Sequence, residues 1–491
     1  MKTKILNEMF GLEKFRPYQS EIIDEIFNKD TNGILVVMPT SAGKSLLYQI
    51  PSLLQEELTI VISPLISLMK DQVDFLKSKK ISAEFYNSSL LDSEKRIIEN
   101  KLIHKQIKIL YVAPERFSDS RFTQSLKMTN NIDLFAVDES HCISSWGHDF
   151  RPSYRMLTEV INYLKPKQIV ALTATATKRV QKDICKQLNI PNAKKYITGF
   201  YRPDLSIVVK NCTSSSKIDH IIQQTTYFIN NGIKTGIIYS PTRALAENIQ
   251  QNLKKVKIDS TLYHAGLSDN MRETTQSQWF KNGGIIVATV AFGMGIDKSD
   301  VRFILHAGLP QSIENYYQEI GRASRDGRGA KCILYFDSHH DVELQKFFIE
   351  IAYPPSTSII DFWNWCTKSV DKNDLILMTQ KEMANKCNNI KSSYISGCIS
   401  KLKENEFIQT IANGKYKINK DKDIEKDFDF INLENKRRSK FDMLYDMVDF
   451  AKNKNSCRIL QILEYFDDYS RLNPCNKCDV CIEKMLKTKP V

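Results

Sequence analysis

Gly33-Ile-Leu-Val-Val-Met-Pro-Thr-Ser-Ala-Gly-Lys-Ser45 joins a short β-branched run to a turn that opens a helix. Backbone N–H groups of such a turn cradle phosphates, Lys44 reaches the β- and γ-phosphates, and the Ser45 hydroxyl can ligate Mg²⁺. Thr40 and Gly43 belong to the same expected contact set. Met38 stands where the full pattern has its first glycine. Alone, this would read as a glycine-poor turn with an ordinary surface lysine. Its position after an apolar strand, and the sequence around it, argue otherwise.

Outward from the turn, apolar runs alternate with helical patterns: Gly33–Met38, Leu58–Ile62, Lys108–Ala113, Ile132–Val137 and Gln168–Thr173. Near-continuous apolar strands separated by helices imply a parallel sheet covered on both faces. After Arg202-Pro203-Asp204 the pattern restarts, with Thr235–Tyr239, Ser260–Tyr263, Gly284–Thr289, Val301–Ala307 and Lys331–Phe336. The expected fold class is α/β, with two tandem parallel-sheet domains over 1–200 and 201–353.

The run Ile132–Val137 ends in Asp138-Glu139, and Trp146, His148, Phe150 and Arg151 follow closely. Nucleotide hydrolysis needs one carboxylate for the metal and another to orient water. Single-stranded nucleic acid needs aromatic faces and cations. Both kits share one stretch of backbone, as coupling ATP to a strand requires. Asp138 is expected to hold Mg²⁺ and Glu139 to orient or deprotonate the attacking water. Upstream, Arg16 and Gln19 precede the phosphate turn, and Gln19 is expected to read the adenine edge. Leu172–Thr177 offers small hydroxyl residues that can link phosphate state to domain movement. In the second domain, Gln318 leads a stretch that sets Arg322 and Arg325 three apart. Across an interdomain cleft such arginines stabilise γ-phosphate charge, worth roughly 10³–10⁵ in rate.

Beyond Pro354-Pro355 the alternation stops. Thr379 and Glu382 form a capping-box pattern, and a helix from about Ser393 to Glu406 carries Ile395, Ile399 and Leu402 on one face. Phe407–Ile411, Asn413-Gly414 and Lys415–Ile418 read as a hairpin with a tight turn. Helix, helix and two-stranded wing outline a winged helix over 354–432, which either binds duplex DNA or spaces its neighbours. A helix from Leu433 carries Lys436, Arg437, Arg438 and Lys440, a cluster expected to face DNA or solvent. It leads to Cys457, and then to Cys475, Cys478 and Cys481. Four thiolates at these spacings suffice for a closed, structural tetrahedral Zn²⁺. An iron–sulfur cluster is the lesser rival. A small helical zinc module is thus expected over 433–491.

Composition sets the outer bounds. With 491 residues, 42% hydrophobic and 26% charged, the chain reads as a multidomain globular protein. Its net charge of +12 favours a polyanionic partner. No apolar run approaches a membrane span, and Met1–Glu8 lacks the apolar core of a secretory signal. The expected location is cytoplasmic (nucleoid) or nuclear.

Taken in order, these blocks resemble the RecQ family of superfamily 2 DNA helicases. The matching stretches are Phe10–Gln19, Met38–Pro51, Ser63–Gln72, Tyr111–Arg116, Asp138–Pro152, Ala171–Thr177, Tyr201–Pro203, Tyr239–Arg243, Tyr263–Gly266, Ala288–Asp297 and Tyr316–Gly327. The resemblance implies RecA-like folds for both domains. It implies an ATP- and Mg²⁺-dependent 3′→5′ DNA helicase of repair, recombination or replication, with single-stranded and forked DNA as partners. It makes Trp146–Pro152 an aromatic-rich loop coupling DNA contact to hydrolysis. By the same resemblance, the DNA contacts are Ser63, Leu65, Ser67, Arg116, Trp146, Phe150, Arg151, Arg243, His264 and Thr289. Ser41-Ala42, Ser140 and Ser324 depart from the usual residues without removing a charge. The winged-helix-like segment precedes the zinc module, whereas RecQ proteins commonly place theirs after it. An ATP-driven RNA remodeler and an ATP-gated DNA-binding scaffold are the rival readings.

Overall fold

The computed structural model describes residues 1–491 except Lys29, Asn32, Ser41, Asn130, 294–297, 412–414 and 488–491. The expectations for Ser41, for Asn413-Gly414 and for the end of the Ala288–Asp297 stretch lie outside the described residues.

Seven strands build the first sheet: β1 (Ile34–Val37), β2 (Leu58–Ile62), β3 (Ala83–Tyr86), β4 (Ile109–Val112), β5 (Ile132–Val137), β6 (Gln168–Thr173) and β7 (Lys194–Ile197). Their order is β3-β4-β2-β5-β6-β1-β7, parallel throughout. The five inner strands are buried along their whole length, which is why they read as unbroken apolar runs. The second sheet contains β8 (Leu205–Asn211), β9 (Gly236–Tyr239), β10 (Ser260–Tyr263), β11 (Ile285–Ala288), β12 (Phe303–His306) and β13 (Ala330–Phe336). Its order is β10-β11-β9-β12-β13-β8, also parallel. In such sheets, ligands gather outside the carboxyl ends of the strands, so both sheets present one working edge.

The winged unit is more complete than its sequence outline. Helix Ser356–Lys368, β14 (Leu375–Ile376), helix Gln380–Lys386, helix Ile395–Glu404, β15 (Ile408–Thr410) and β16 (Tyr416–Ile418) follow in order. The strands form an antiparallel sheet ordered β14-β16-β15. The capping box is made: Thr379 Oγ1 accepts the Glu382 amide at 3.3 Å, and Glu382 Oε2 accepts the Thr379 amide at 2.7 Å. This unit has a core of its own, around Phe362, Trp363, Leu402 and Phe407. Its third helix lies against helix His340–Ala352 so closely that a Cβ at Gly397 would overlap the Ile351 carbonyl.

The zinc module packs differently. Leu444, Met447, Cys457, Ile462 and Phe466 belong to the same continuous core as β1, β5 and β12. Its long helix, Phe430–Lys452, lies on helices Ile313–Ile320 and His340–Ala352 of the second domain. The expected solvent- or DNA-facing role of the Lys436–Lys440 cluster is corrected here. Lys436 and Lys440 turn inward onto residues 147–150 of the first domain, because backbone carbonyls and a phenyl face accept their charge there. Arg438 is exposed.

Candidate nucleotide and nucleic-acid site

A cavity of about 370 Å³ opens between the ends of β1 and β5 and the second domain. Arg16, Gln19, Thr40, Gly43, Lys44, Ser45, Asp138, Glu139 and Arg325 all line it, as do Lys14 and Ser299, which the sequence reading did not single out. Lys14 lies inside the Phe10–Gln19 stretch and was within reach of that signal; no spacing points to Ser299.

The phosphate turn is held by its own side chains. Lys44 Nζ donates to the carbonyls of Met38 and Pro39 at 3.3 and 3.4 Å. Burial pulls its ammonium below the ordinary lysine range, against the charges of Glu139 and Asp138. Gly43 has φ +78°, and a Cβ there would press on the Gln19 amide at 2.6 Å. Gln19 Nε2 donates to the Ala42 and Gly43 carbonyls at 2.9 and 3.3 Å, and Oε1 accepts the Arg16 amide at 2.9 Å. In this arrangement Gln19 buttresses the turn with both ends of its amide.

Asp138 and Glu139 sit at the carboxyl end of β5. Burial, with the adjacent Glu139 charge, pushes the Asp138 carboxyl up to about 7. Glu139 itself is in left-handed backbone, φ 46° and ψ 44°, a conformation non-glycine residues seldom adopt. Its Oε2 lies 3.3 Å from His141 Nδ1, which also meets Thr173 Oγ1 at 2.9 Å. The ring of His141 stacks on that of His148, with centroids 4.3 Å apart and planes at 17°. Acid pair and aromatic loop are thus joined by two histidines. His141, Cys142 and Asp149 also form a cluster of possible metal ligands. Asp149, however, is already paired with Arg151 at 3.1 Å.

Across the cleft, Thr40 Oγ1 donates to the Gly321 carbonyl at 3.0 Å, and Gln318 Nε2 donates to Thr175 Oγ1 at 3.1 Å. Gln318 therefore binds the Leu172–Thr177 turn and not the cavity. Arg322 also stays out of the cavity, its guanidinium bonded to the Gly293 carbonyl. Of the two arginines, only Arg325 lines it. Ser324 between them has φ 54°, where glycine is at ease, and its hydroxyl accepts the Gly329 amide at 2.8 Å.

The expected DNA residues stand at carboxyl strand ends of both sheets. Ser63 follows β2, Arg116 follows β4, Arg243 follows β9, His264 follows β10 and Thr289 follows β11. Leu65 caps helix Ile66–Ser78, and Ser67 is exposed in its first turn. Ser63, His264 and Thr289 are only 1, 4 and 9% exposed, so their side chains do not reach the surface here. In the aromatic loop, Arg179 lies 3.2 Å over the Trp146 ring. Phe150 meets Arg155 at 5.1 Å and Lys436 at 5.0 Å. Arg151 Nη1 donates to the Pro64 carbonyl at 3.0 Å, tying this loop to the end of β2.

The four late cysteines converge within 4.8 Å of one another. Cys457 and Cys478 sulfurs are 3.9 Å apart, and Cys475 and Cys481 sulfurs 4.0 Å. A tetrahedron of 2.3 Å Zn–S bonds has edges of about 3.8 Å, so the set fits Zn²⁺. Backbone amides of Cys475 and Cys481 point at the sulfurs of Cys457 and Cys478, at 3.3 and 3.4 Å, as stabilised thiolates require. Arg458, fully buried, pairs with Asp479 at 2.9 Å and ties the two halves of the site.

Two RecA-like domains clasping a phosphate turn, an acid pair and a facing arginine define the motor core of a superfamily 2 helicase. Residues 16–184 match the DEAD/DEAH box helicase family, 216–327 the helicase conserved C-terminal domain and 418–482 the RecQ zinc-binding family. The chain is 44% identical over 349 residues to the ATP-dependent DNA helicase RecQ of Bacillus subtilis, covering 70% of this chain and 58% of that protein. It is 43% identical over 356 residues to RecQ of Haemophilus influenzae, covering 72% and 56%. It therefore spans little more than half the length of the curated relatives it matches. Among solved structures it resembles the DEAD-box helicase Mss116 bound to single-stranded RNA (TM-score 0.57, 16% identity, 90% of each chain). It also resembles the DUF1998 helicase MrfA bound to DNA and AMPPNP (TM-score 0.57, 17% identity, 87% of this chain and 62% of that one). These two share its fold. The chain belongs to the RecQ family. No helix among the described residues is long and apolar enough to cross a membrane.

Proposed function

We propose that this chain is an ATP- and Mg²⁺-dependent DNA helicase that unwinds with 3′→5′ polarity, serving DNA repair, recombination or replication. The observation that carries this reading is the histidine bridge between Glu139 and the aromatic loop, through His141 stacked on His148. It supports a coupling of DNA contact to hydrolysis, because the aromatic loop expected to meet DNA packs beside the candidate water-orienting acid.

In this reading, Lys44, Thr40 and Gly43 hold the triphosphate, and Ser45 and Asp138 would hold Mg²⁺, which would supply neutralisation of phosphate charge. Glu139 orients the attacking water, Arg325 faces the γ-phosphate, and Arg322 serves by bracing the loop that carries it. Arg16 and Gln19 close the purine side, Gln19 exchanging a turn carbonyl for the base edge. Single-stranded DNA runs over the strand ends from Ser67 and Arg116 to Arg243, with Trp146, Phe150 and Arg151 beside it. Ser63, Leu65, His264 and Thr289 act there after local opening, or through backbone groups. Such contacts track the sugar-phosphate chain and carry little sequence information.

The functional units run 1–200, 201–353, 354–432 and 433–491, and the location is cytoplasmic (nucleoid) or nuclear. ATP hydrolysis and strand displacement on forked duplexes with a 3′ or a 5′ tail test the reading together. Unwinding from the 3′ tail alone, with hydrolysis raised by single-stranded DNA, is expected. Unwinding from the 5′ tail, or stimulation by RNA only, refutes it.

A further inference from the structure

The helix Phe430–Lys452 is fixed to the second domain, with the Phe450 ring 5.4 Å from that of Tyr316. Yet Lys440 on this helix crosses to the first domain. Its Nζ donates to the backbone carbonyls of Gly147 and His148, at 3.1 and 3.2 Å. Gly147 lies where its Cβ would press on the His141 carbonyl at 2.6 Å, so the loop is folded tightly upon itself at this point. His148, whose carbonyl Lys440 holds, is the residue stacked on His141 and hence one step from Glu139.

The loop's aromatic faces are also spoken for. Arg179 covers Trp146, and Phe150 is flanked by Arg155 and by Lys436, one helical turn before Lys440. Bases stack on such faces when single strands bind, and here the protein's own cations take that place. The conformation is therefore one that a strand must displace. Lys440 stabilises it through main-chain acceptors that any rearrangement of the loop would break.

Resting on the helicase reading above, we propose that Lys440 is a positioning residue that latches the aromatic loop in its DNA-free form. From the zinc module, it holds back hydrolysis until single-stranded DNA pulls residues 146–150 away. The latch joins a helix carried by the second domain to a loop of the first, so its release also removes one of the contacts, beside Thr40–Gly321 and Gln318–Thr175, that tie the two domains together.

The test uses the full zinc-loaded chain and oligo-dT as the single strand, with ATP hydrolysis titrated against DNA for wild type, Lys440→Met and Lys440→Arg. Losing a charge-assisted bond shifts a two-state balance by about fivefold or more. Lys440→Met is expected to raise DNA-free hydrolysis by at least about that factor. It should also lower the half-saturating DNA concentration, with the saturated rate unchanged. Lys440→Arg, which can still donate to both carbonyls, is expected to restore wild-type values. A Lys440→Met enzyme with unchanged DNA-free rate and half-saturation, or with only a lower saturated rate, overturns the latch. Zinc content and thermal melting check folding. Should Lys440→Met lose zinc, Lys440→Gln replaces it, with the same direction expected and the same result overturning the proposal. A wild-type chain whose hydrolysis DNA does not stimulate fails differently, since it overturns the helicase reading itself.

Discussion

The rings of Phe200 and Phe466 stack face to face, with centroids 4.1 Å apart and planes at 9°. Phe200 lies in the segment that passes from one sheet to the other, between β7 and β8, and Phe466 belongs to the zinc module. Asp468 Oδ2 accepts the Phe200 amide at 2.6 Å, and Tyr317 donates its hydroxyl to the Phe200 carbonyl at 3.0 Å. The interdomain hinge is thus clasped from both sides. Lys178 of the first domain meets Asp467 at 3.4 Å, which makes the clasp reach both domains.

Because Phe466 is 2% exposed, Phe466→Ala leaves a void beside the hinge and is expected to cost about 3–5 kcal/mol. Denaturant unfolding of the zinc-loaded chain measures this; a loss well under 1 kcal/mol would show that the clasp is loose.

Lys44→Ala is expected to abolish hydrolysis while the zinc module stays folded. The side chain bonds to carbonyls of its own turn and faces the charges of Glu139 and Asp138, all remote from the cysteine cluster, so its removal does not reach that cluster. Hydrolysis rate and zinc stoichiometry check the two halves. Undiminished DNA-stimulated hydrolysis in this variant would reject the role given to Lys44.

Trp146→Ala is expected to keep DNA binding and lose most of the stimulation of hydrolysis. Binding rests on many backbone-tracking contacts, whereas Trp146 sits two residues from the histidine stacked on His141. Fluorescence anisotropy with labelled oligo-dT and coupled hydrolysis separate the effects, and normal stimulation would remove Trp146 from the relay.

The sheet strands were legible where they are buried on both faces. β2, β5 and β6 span the same residues as the apolar runs that announce them, and β10 does so too although it is a half-buried edge strand. β3 and β7 escaped because edge strands such as Lys-Lys-Tyr-Ile, Lys194–Ile197, are largely exposed and carry no continuous apolar run. β8 fails for a related reason, its burial alternating instead of running on. The first helix of the winged unit was hidden by Pro354-Pro355, which reads as a stop yet caps the start of Ser356–Lys368. Phosphate-turn and acid-pair residues were readable because local spacing defines them. The inward turn of Lys440 was not, since a basic helix face gives no sign of carbonyls far away in sequence.

Glu25 supplies a pH test of the first sheet's edge. Lys194, at 2.7 Å, and then Thr31 hold its carboxyl down at about 2, from an ordinary 4.5. A depressed carboxylate adds stability above its unfolded pKa, and this is lost as pH falls through the folded value. Glu25→Gln should therefore lower the melting temperature at pH 7, and the gap to wild type should shrink between about pH 4.5 and 2. A gap independent of pH would show that packing, and not the charge, is what Glu25 contributes.

Removing zinc should unsettle more than the zinc module. Cys457 begins helix Arg458–Tyr465, Cys478 precedes helix Asp479–Lys487, and the fully buried Arg458 depends on Asp479 staying in place. Without the metal, four thiols about 4 Å apart have no bond to hold these helices together. The clasp on Phe200 and the Lys440 bonds to the aromatic loop both hang on the same module. Cys478→Ser is therefore expected to lower bound zinc below one per chain, to lower the melting temperature and, by loosening the Lys440 bonds, to raise DNA-free hydrolysis relative to the DNA-saturated rate, so that the fold stimulation by DNA falls. Metal analysis, melting and hydrolysis titrations on the same preparation check this. Full DNA stimulation in a zinc-free chain would mean that the motor domains hold hinge and loop in register by themselves.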